Sequence, residues 1–380
     1  MNRIVGMKNY GQEWYTTFKL EYNQAVEMLT RQGVDLVVIQ NLLDPLPSSM
    51  VAQEIPLKQK KRFSEYRDEA FRESLRAKGI KYYEATALFF DPREYAIEPN
   101  LRPVGSDGCV MEPYGWYVGL CPTNPQYLKK RIAKVEEVTE RYKPDGLFLG
   151  WIRYPGFWEL WMPETYRAGI TEYCFCNRCL ERFQEETGLT VPEGPTAMKA
   201  AYIQHELRLS WTDWKCRIIA DVVGQIKRAG QRYRPDISIM INTLPFTRSD
   251  YGNVMEEVTA QSLELLAGHA DSFELMLYHQ ILRRDPVEFI KKVTEEAEAR
   301  TTRILLATLQ TKADYLQDIY KAGRRKQEIP FEEHLAALRA VAASPADGVM
   351  VYHWKDYLEA EAKGDRRMSG ALRAFKEGEL

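Results

Sequence analysis

Residues 125–154 read PQYLKKRIAKVEEVTERYKPDGLFLGWIRY, and the architecture can be worked out from this segment. Its first part, Pro125–Tyr142, places apolar side chains three and four positions apart, the spacing that gives a helix one apolar face. The turn sequence Pro144-Asp145-Gly146 follows, and an apolar run from Gly146 to Tyr154 predicts a buried strand. A helix that leads through a short turn into a buried strand is the repeating unit of a parallel α/β fold.

The same unit recurs along the whole chain. Eight strands are predicted, at Ile4–Tyr10, Asp35–Asn41, Lys81–Phe90, Gly146–Tyr154, Ile237–Leu244, Phe273–His279, Arg303–Gln310 and Gly348–His353. Amphipathic helices between them are predicted at Tyr22–Gln32, Arg67–Lys78, Pro125–Tyr142, Pro286–Arg300 and Phe331–Ala343. Eight consecutive units predict an α/β fold, a closed (β/α)8 TIM barrel in one domain over residues 1–380. A doubly wound open sheet also fits eight strands, but no glycine-rich phosphate turn follows the first strand, which favours the barrel.

Two connections are much longer than average, and both follow strands. They are Asp91–Asn124, after the third strand, and residues 155–198, after the fourth. Loops that follow strands build the active face of such barrels, so the two segments are expected to form the wall of one cleft. A long helix is predicted from Ala197 to about Arg232, with a break near Ser210.

The composition excludes several classes of partner. The chain has 52 basic and 54 acidic residues, and its formal charge of -2 creates no field that favours nucleic acid or an anionic membrane. No apolar run reaches the roughly 18 residues of a membrane helix, and the N-terminus lacks the pattern of a signal peptide. We therefore expect a cytoplasmic protein with a small carbohydrate ligand, which the 22 Tyr and 8 Trp also favour. A homo-oligomer is left open.

Three cysteines lie in C-x-C-x2-C spacing, at Cys174, Cys176 and Cys179. In a reducing compartment this clustering indicates metal rather than disulfides. Three unpaired surface thiols are the alternative, but exposed cysteines are chemically costly. Zinc favours four ligands, and a fourth thiolate would make the site structural. Cys121 and Cys109 both lie in the preceding long loop and either could supply that thiolate, whereas Cys216 is expected to be a buried thiol in a helix.

The segment CPTNPQY at 121–127, followed by CFCNRCLERF at 174–183, resembles the zinc site of the family-42 glycoside hydrolases, which are β-galactosidases. The likeness extends to a looser set of uncharacterised hypothetical glycosyl hydrolases, whose fourth strand is similar to DGLFLGWIRYP at 145–155. It covers about residues 121–183. The resemblance implies that Cys121, Cys174, Cys176 and Cys179 hold a structural zinc ion. It also implies a glycosidase fold and activity.

Glycosidic bond cleavage normally needs two carboxylates, and here the sequence departs from both patterns. Family-42 enzymes place an acid/base Glu after an Asn at the end of strand 4, and this chain has no Asn-Glu there. The looser set implies an Asp where Gly150 stands. The missing carboxylate has three explanations: engineered replacement of a nucleophile, natural loss of catalysis, or a carboxylate located elsewhere.

The remaining catalytic candidates are ranked by position. Glu159 comes first, because it lies just past strand 4 among aromatic residues that favour the protonated form of a general acid. Glu164, in the same loop, is close behind. Asp91 follows strand 3, and Glu274 lies within strand 6, where a buried carboxylate is costly without a role or a partner. The alternative for each is an ordinary ion pair with a Lys or Arg.

Polar and aromatic residues at strand exits are the candidates for substrate binding. They are Arg153, Trp158, Tyr278, His279, Gln310, His353, Trp354 and Asp356. Arg153 is expected to bind a substrate carboxylate or a pair of hydroxyls, or else to hold a neighbouring acidic residue. Trp354 is expected to stack on a sugar ring. Ordinary strand-end residues that meet solvent, and tryptophans that pack loops, are the alternatives.

These observations lead to a main hypothesis and two rivals. The main hypothesis is a glycoside hydrolase that acts on a small oligosaccharide or glycoside in a cleft at the C-terminal face of the barrel. The first rival is a carbohydrate-binding barrel that lacks the catalytic Asp at position 150. The second is a sugar lyase or isomerase that uses His279 and His353 as proton-transfer groups.

Overall fold

The computed structural model describes residues 3–46, 56–313 and 328–380, and its centre is a closed parallel barrel. The strands are β1 (Ile4–Asn9), β2 (Leu36–Ile39), β3 (Lys81–Ala87), β4 (Gly146–Gly150), β5 (Ser238–Thr243), β6 (Ser272–Met276), β7 (Ile304–Gln310) and β8 (Gly348–Tyr352). They are hydrogen-bonded in chain order, and β8 pairs with β1. The predicted (β/α)8 barrel is confirmed.

Helices surround the barrel and fill its connections. They are α1 (Glu13–Thr16), α2 (Tyr22–Arg31), α3 (Leu57–Glu65), α4 (Asp68–Ala77), α5 (Pro92–Ile97), α6 (Pro125–Tyr142), α7 (Asn177–Thr187), α8 (Thr196–Glu206), α9 (Arg208–Gln231), α10 (Val254–Glu257), α11 (Leu263–Leu266), α12 (His279–Leu282), α13 (Pro286–Arg300), α14 (Phe331–Ala342), α15 (Trp354–Ala362) and α16 (Arg367–Glu377). Short 3-10 helices lie at Pro99–Leu101, Trp158–Leu160 and Arg167–Gly169. The predicted long helix is interrupted at Leu207, between α8 and α9. Among the described residues, no helix is both long and apolar enough to cross a membrane.

β4 is four residues shorter than the sequence predicts. Its apolar run continues to Tyr154, but Trp151 adopts a left-handed backbone conformation with φ of 50°. That conformation turns the chain out of the sheet after Gly150. The residues from Trp151 to Tyr154 consequently belong to the loop above the barrel.

The two long connections contact each other. Gly105, in the connection after β3, forms an isolated antiparallel bridge with Tyr173, in the connection after β4. The amide of Phe175 donates to the carbonyl of Val104 at 2.8 Å, and the amide of Ser106 donates to the carbonyl of Glu172 at 2.9 Å. These hydrogen bonds join the two connections into one wall on the C-terminal side of the barrel.

The barrel interior is packed at its N-terminal end and polar above it. Apolar side chains from six strands fill the lower part: Leu36, Val38, Tyr83, Ala85, Phe148, Met240, Leu306 and Met350. Alternate residues of a strand face the same side, so the next inward positions include Lys8, Asn242, Glu274 and Thr308. The polar layer therefore lies toward the C-terminal mouth of the barrel.

Candidate active site

A pocket opens at the C-terminal mouth of the barrel, where the strands end. Its strand-borne lining includes Lys8, Phe148, Gly150, Asn242, Met276, Gln310 and Tyr352. Loop residues complete the walls, among them Trp116, Tyr117, Trp151, Arg153, Phe157, Trp158 and Glu159. The pocket combines many apolar surfaces with a few polar groups, which is the usual composition of a small-molecule site.

A buried ion pair lies at the base of the pocket. Glu274 of β6 is fully buried, and its Oε1 is 2.9 Å from Nζ of Lys8 on β1. Asn242 Nδ2 and Thr308 Oγ1 also donate to its carboxylate. Burial lowers the pKa of Lys8, and the charge of Glu274 opposes that shift. Glu274 is therefore a paired carboxylate.

Glu159 is a carboxylate that lines the pocket directly. It lies in the 3-10 helix Trp158–Leu160 and is partly buried. Burial raises the pKa of Tyr278 well above its usual value, and the charges of Glu274 and Glu159 both add to the shift. Both carboxylates are therefore near enough to the Tyr278 phenol to disfavour its ionised form. Tyr278 also accepts a hydrogen bond from Lys8, at 3.5 Å.

Gly150, the last residue of β4, faces the pocket and has room for a side chain. A Cβ built there would meet only the Thr86 carbonyl oxygen at 3.6 Å and Phe148 at 4.0 Å, which are ordinary contacts. Its backbone is not in the left-handed region. Neither packing nor backbone geometry therefore requires glycine at this position.

Arg153 is buried in the loop that follows β4 and lines the pocket, with 4% of the residue exposed. Burial lowers the pKa of its guanidinium, while Tyr117 and Glu159 raise it. Among the described residues, none forms a hydrogen bond with its Nε. Arg153, predicted from the sequence as a strand-exit residue, therefore lies at the pocket.

Aromatic rings form much of the pocket wall. Tyr278 stacks on Tyr352 with ring centroids 5.8 Å apart, and Trp158 lies 6.0 Å from Tyr278. Trp151 stacks on Phe90 at 4.9 Å. Such rings offer flat apolar surfaces of the kind that sugars contact.

The structure brings some of the predicted residues together and not others. The pocket lining contains Gly150, Arg153, Trp158, Glu159, Tyr278 and Gln310, with Glu274 below it. Asp91, His279, His353, Trp354 and Asp356 do not line the pocket.

Asp91, His279 and Trp354 each make a local structural contact. Asp91 accepts hydrogen bonds from two backbone amides at the start of α5. His279 Nε2 lies 2.8 Å from Glu333. Trp354 is fully buried, and its Nε1 donates to Gln32 at 3.1 Å.

The other two lie near the end of β8. His353 is packed edge-on against Tyr352. Asp356 lies in the first turn of α15 and accepts a hydrogen bond from Thr311.

The pocket residues that were not predicted include Lys8, Tyr10, Asn242 and Tyr352. A signal for them exists in the sequence, because each continues the inward-facing alternate positions of its strand. For example, Asn242 follows Met240, and Tyr352 follows Met350. Extending the period of two to the end of each strand would have identified them.

A cluster of four cysteine sulfurs lies beside this wall. The ligand atoms of Cys121, Cys174, Cys176 and Cys179 are all within 4.8 Å of one another. Cys121 precedes α6, while Cys176 caps the N-terminus of α7 and Cys179 lies in its first turn. Cys109 is exposed and outside the cluster. Four thiols this close could bind a metal ion.

Comparisons with known proteins show the fold. No protein-family model matches the sequence, and no curated protein matches it. The structure is similar to the PgaB (BpsB) glycoside hydrolase domain from Bordetella bronchiseptica, with a TM-score of 0.67, 16% identity, and coverage of 99% of both chains.

Two β-galactosidases are also similar. A catalytic mutant of the GH42 β-galactosidase Gan42B from G. stearothermophilus has a TM-score of 0.65 and 13% identity, with 99% of this chain covered. The enzyme from the Antarctic haloarchaeon Halorubrum lacusprofundi has a TM-score of 0.63 and 15% identity, with 98% covered. This chain spans 57% of the length of each. The structural neighbours are thus glycoside hydrolase barrels, as the sequence resemblance implies.

Proposed function

We propose that this protein is a glycoside hydrolase that acts on a small oligosaccharide or glycoside in the pocket at the barrel mouth. The observation that carries the proposal is Glu159, a partly buried carboxylate on an aromatic pocket wall. A second carboxylate, Glu274, lies at the base of the same pocket. The neighbouring structures are glycoside hydrolases, which supports this choice of reaction.

The residues have different proposed roles. Glu159 is the general acid that protonates the leaving oxygen, because it reaches the pocket and has apolar neighbours. Glu274 is paired with Lys8 and accepts hydrogen bonds from Asn242 and Thr308, and its carboxylate would stabilise positive charge that develops on the sugar. Because Glu274 is fully buried and paired, it is not assigned as the nucleophile. A water molecule would attack the anomeric carbon as the glycosidic bond breaks, and it would lose a proton to solvent.

The cysteine cluster is proposed to hold one structural zinc ion. Four thiolates complete a tetrahedral shell and leave no position for water or substrate. The ion would join the turn before α6 to the start of α7, and so hold the connection that carries Glu159. It would take no part in bond cleavage.

A carbohydrate-binding barrel is the second candidate, and Gly150 favours it. The position has space for a side chain and faces the pocket, where a carboxylate would lie on the same wall as Glu159. A chain that lacks this group would still bind sugars through the remaining walls. No comparable observation favours a lyase or isomerase, since neither His279 nor His353 lines the pocket.

One experiment separates the two candidates. The wild-type protein, Gly150→Asp and Gly150→Asn are assayed against a panel of aryl glycosides in heavy-oxygen water. Turnover by the wild type, with labelled oxygen in the product sugar, supports a hydrolase as the chain stands. Turnover only in Gly150→Asp supports the binding barrel and identifies the missing group. Sugar binding without turnover in any variant would contradict the hydrolase proposal.

A further inference from the structure

Arg153 differs from the other deeply placed arginines in its lack of an anionic partner. The side chains of Arg72, Arg131 and Arg300 are 2%, 12% and 5% exposed. Each touches a carboxylate: Arg72 contacts Glu84, Arg131 contacts Asp44, and Arg300 contacts Glu264. Within the described ranges, no carboxylate oxygen lies within 4 Å of the Arg153 guanidinium, and its Nε has no hydrogen-bond partner.

Burial of the Arg153 guanidinium without an anionic partner costs free energy unless a ligand supplies the anion. A buried charge is normally paired, because removal from water penalises the ionised form far more than a neutral group. The Arg153 side chain lines the pocket, so an occupant of the pocket can reach it. Glu159 raises the pKa of Arg153 through its charge but forms no ion pair with it.

A second unpartnered donor lines the same pocket. Trp116 is 7% exposed, and its indole Nε1 is buried without a hydrogen-bond acceptor. Its ring packs edge-on against Tyr117 and Phe157, which also line the pocket. The pocket thus offers two donors, one of them charged, that the described protein residues leave without acceptors.

We propose that Arg153 binds a carboxylate of the substrate, so that the pocket accepts glycosides of hexuronic acids in preference to neutral sugars. This inference rests on the proposed function for the reaction, but the binding preference can be measured without turnover. A neutral hydroxyl pair would satisfy the hydrogen bonds of the guanidinium and leave its charge uncompensated. A planar carboxylate satisfies both, because its two oxygens match the two parallel N–H bonds of an arginine.

The first test is a comparison of ligands that differ only at the anionic group. Binding of glucuronate, glucose and glucose 6-sulfate, and of galacturonate and galactose, is measured by calorimetry at low ionic strength. At least one uronate is expected to bind tenfold or more tightly than its neutral hexose. Equal affinities of each pair would overturn the inference. Tight binding of the sulfate ester with no uronate preference would also overturn it, because the site would then recognise a different anion.

Variants assign the preference to Arg153. Arg153→Met is expected to abolish the uronate preference, and Arg153→Lys to retain only part of it, because lysine lacks the planar fork. Arg303→Met is the matched control, since Arg303 is exposed and donates to the Ala267 carbonyl away from the pocket. A preference retained in Arg153→Met would contradict the proposal.

Stability without ligand distinguishes a binding role from a structural one. Because Arg153→Met removes an uncompensated charge and keeps similar volume, its melting temperature is expected to equal or exceed that of the wild type. A lower value would show that Arg153 stabilises the fold, and would overturn the inference.

Aryl glucuronides and glucosides then test the reaction separately. If uronates bind through Arg153 but no aryl glycoside is cleaved, the hydrolase proposal fails and the carboxylate site stands. If glucosides are cleaved as well as glucuronides, the hydrolase proposal stands and the proposed preference for uronates fails.

Discussion

Glu159 is the side chain on which the proposed chemistry depends, and its removal is the first prediction. Glu159→Gln is made in whichever protein cleaves aryl glycosides, the wild type or Gly150→Asp. It is expected to lower kcat by roughly 10²–10⁴-fold, because general acid catalysis contributes about that much. The KM is expected to change little, since the amide keeps the volume and hydrogen-bonding capacity of the side chain. Steady-state kinetics on an aryl glycoside measures both constants.

The neighbouring Glu164 offers a matched control. It lies five residues further along the same loop and pairs with Arg283 at 2.6 Å, with 61% of its side chain exposed. Glu164→Gln is expected to retain near wild-type kcat. The assignment of Glu159 would be wrong if the two variants lost activity equally.

The buried Lys8–Glu274 ion pair gives a second prediction, about stability. Lys8→Met leaves the Glu274 carboxylate buried without its cation, so the free energy of unfolding is expected to fall by roughly 3–5 kcal/mol. The double variant Lys8→Met/Glu274→Gln is expected to lose less, because both charges are then removed. Urea denaturation of the two single variants and the double variant gives the coupling energy.

An exposed pair controls for the loss of any lysine. Lys134 and Glu137 are paired on α6, with side chains 32% and 49% exposed. Such pairs contribute about 0–1 kcal/mol, so Lys134→Met is expected to have a small effect. Equal losses in Lys8→Met and Lys134→Met would show that the buried pair contributes no special stability.

Individual residues were predicted unevenly from the sequence. Arg153 and Glu159 were found because they follow a strand whose end lies at the barrel mouth. Trp354 follows a strand too, but α15 begins at this residue and directs its ring toward Gln32 and Trp14. The direction of a side chain after a strand depends on the backbone turn, which composition and spacing do not reveal.

Among the elements, α14 carries a buried histidine that makes stability depend on pH. His334 lies in its first turn, and burial lowers its pKa to about 4. In the unfolded chain the pKa is near 6.5, so between about pH 6.5 and 4 the unfolded state binds more protons. Stability contributed by the neutral imidazole is therefore present above pH 6.5 and is lost as the pH falls toward 4.

The loss of stability toward acid can be measured as a difference between the wild type and a His334 variant. Between pH 7 and pH 5 the wild type is expected to lose about 2 kcal/mol more unfolding free energy than His334→Gln. His205→Gln is the control, because His205 is exposed on α8 and should leave the wild-type pH dependence intact. Parallel pH profiles for the wild type and His334→Gln would contradict the assignment.

The cysteine cluster links two elements, and its ligand set gives the next prediction. Purified protein is expected to contain close to one zinc per chain, and Cys121→Ser is expected to lose most of it. Cys109→Ser should retain the metal, because Cys109 is exposed and outside the cluster. Elemental analysis of the three proteins measures this, and equal zinc in both variants would rule out Cys121 as a required ligand.

The sequence could predict this cluster in part. The C-x-C-x2-C spacing identifies three thiols, since residues so close in the chain can converge on one point. Spacing left Cys121 and Cys109 as equal candidates for the fourth, and only the Cys-Pro turn of the family resemblance distinguished them. The structure brings Cys121 to 3.5 Å from Cys179 across 58 positions of sequence.

At the scale of the whole molecule, the alternation of strands and helices was enough to predict the barrel. Each strand pairs with its neighbours in chain order, so local patterns translate directly into topology. The pocket was less predictable, because its walls combine strands with loop residues far apart in sequence. Lys8 and Glu274 meet across 266 positions, and no local pattern relates them.

The stability of the closed barrel and that of the wall formed by the two long connections are expected to depend differently on the proposed zinc ion. Every strand of the barrel is hydrogen-bonded on both sides, and the N-terminal part of its interior is filled by apolar residues. The wall combines buried apolar side chains with backbone hydrogen bonds near Tyr173 and with the cysteine cluster, which ties its two connections together. Removal of the metal should therefore open the wall and leave the barrel folded.

Hydrogen exchange with mass spectrometry tests this division. After chelation, amides in residues 99–124 and 155–190 are expected to exchange at least tenfold faster, while those of β1 to β8 keep their protection. Addition of zinc should restore the slow exchange, which controls for irreversible damage. Because the wall carries Glu159 and Arg153, sugar binding should weaken with the same metal dependence. Loss of protection throughout the strands would instead show that the metal stabilises the barrel itself.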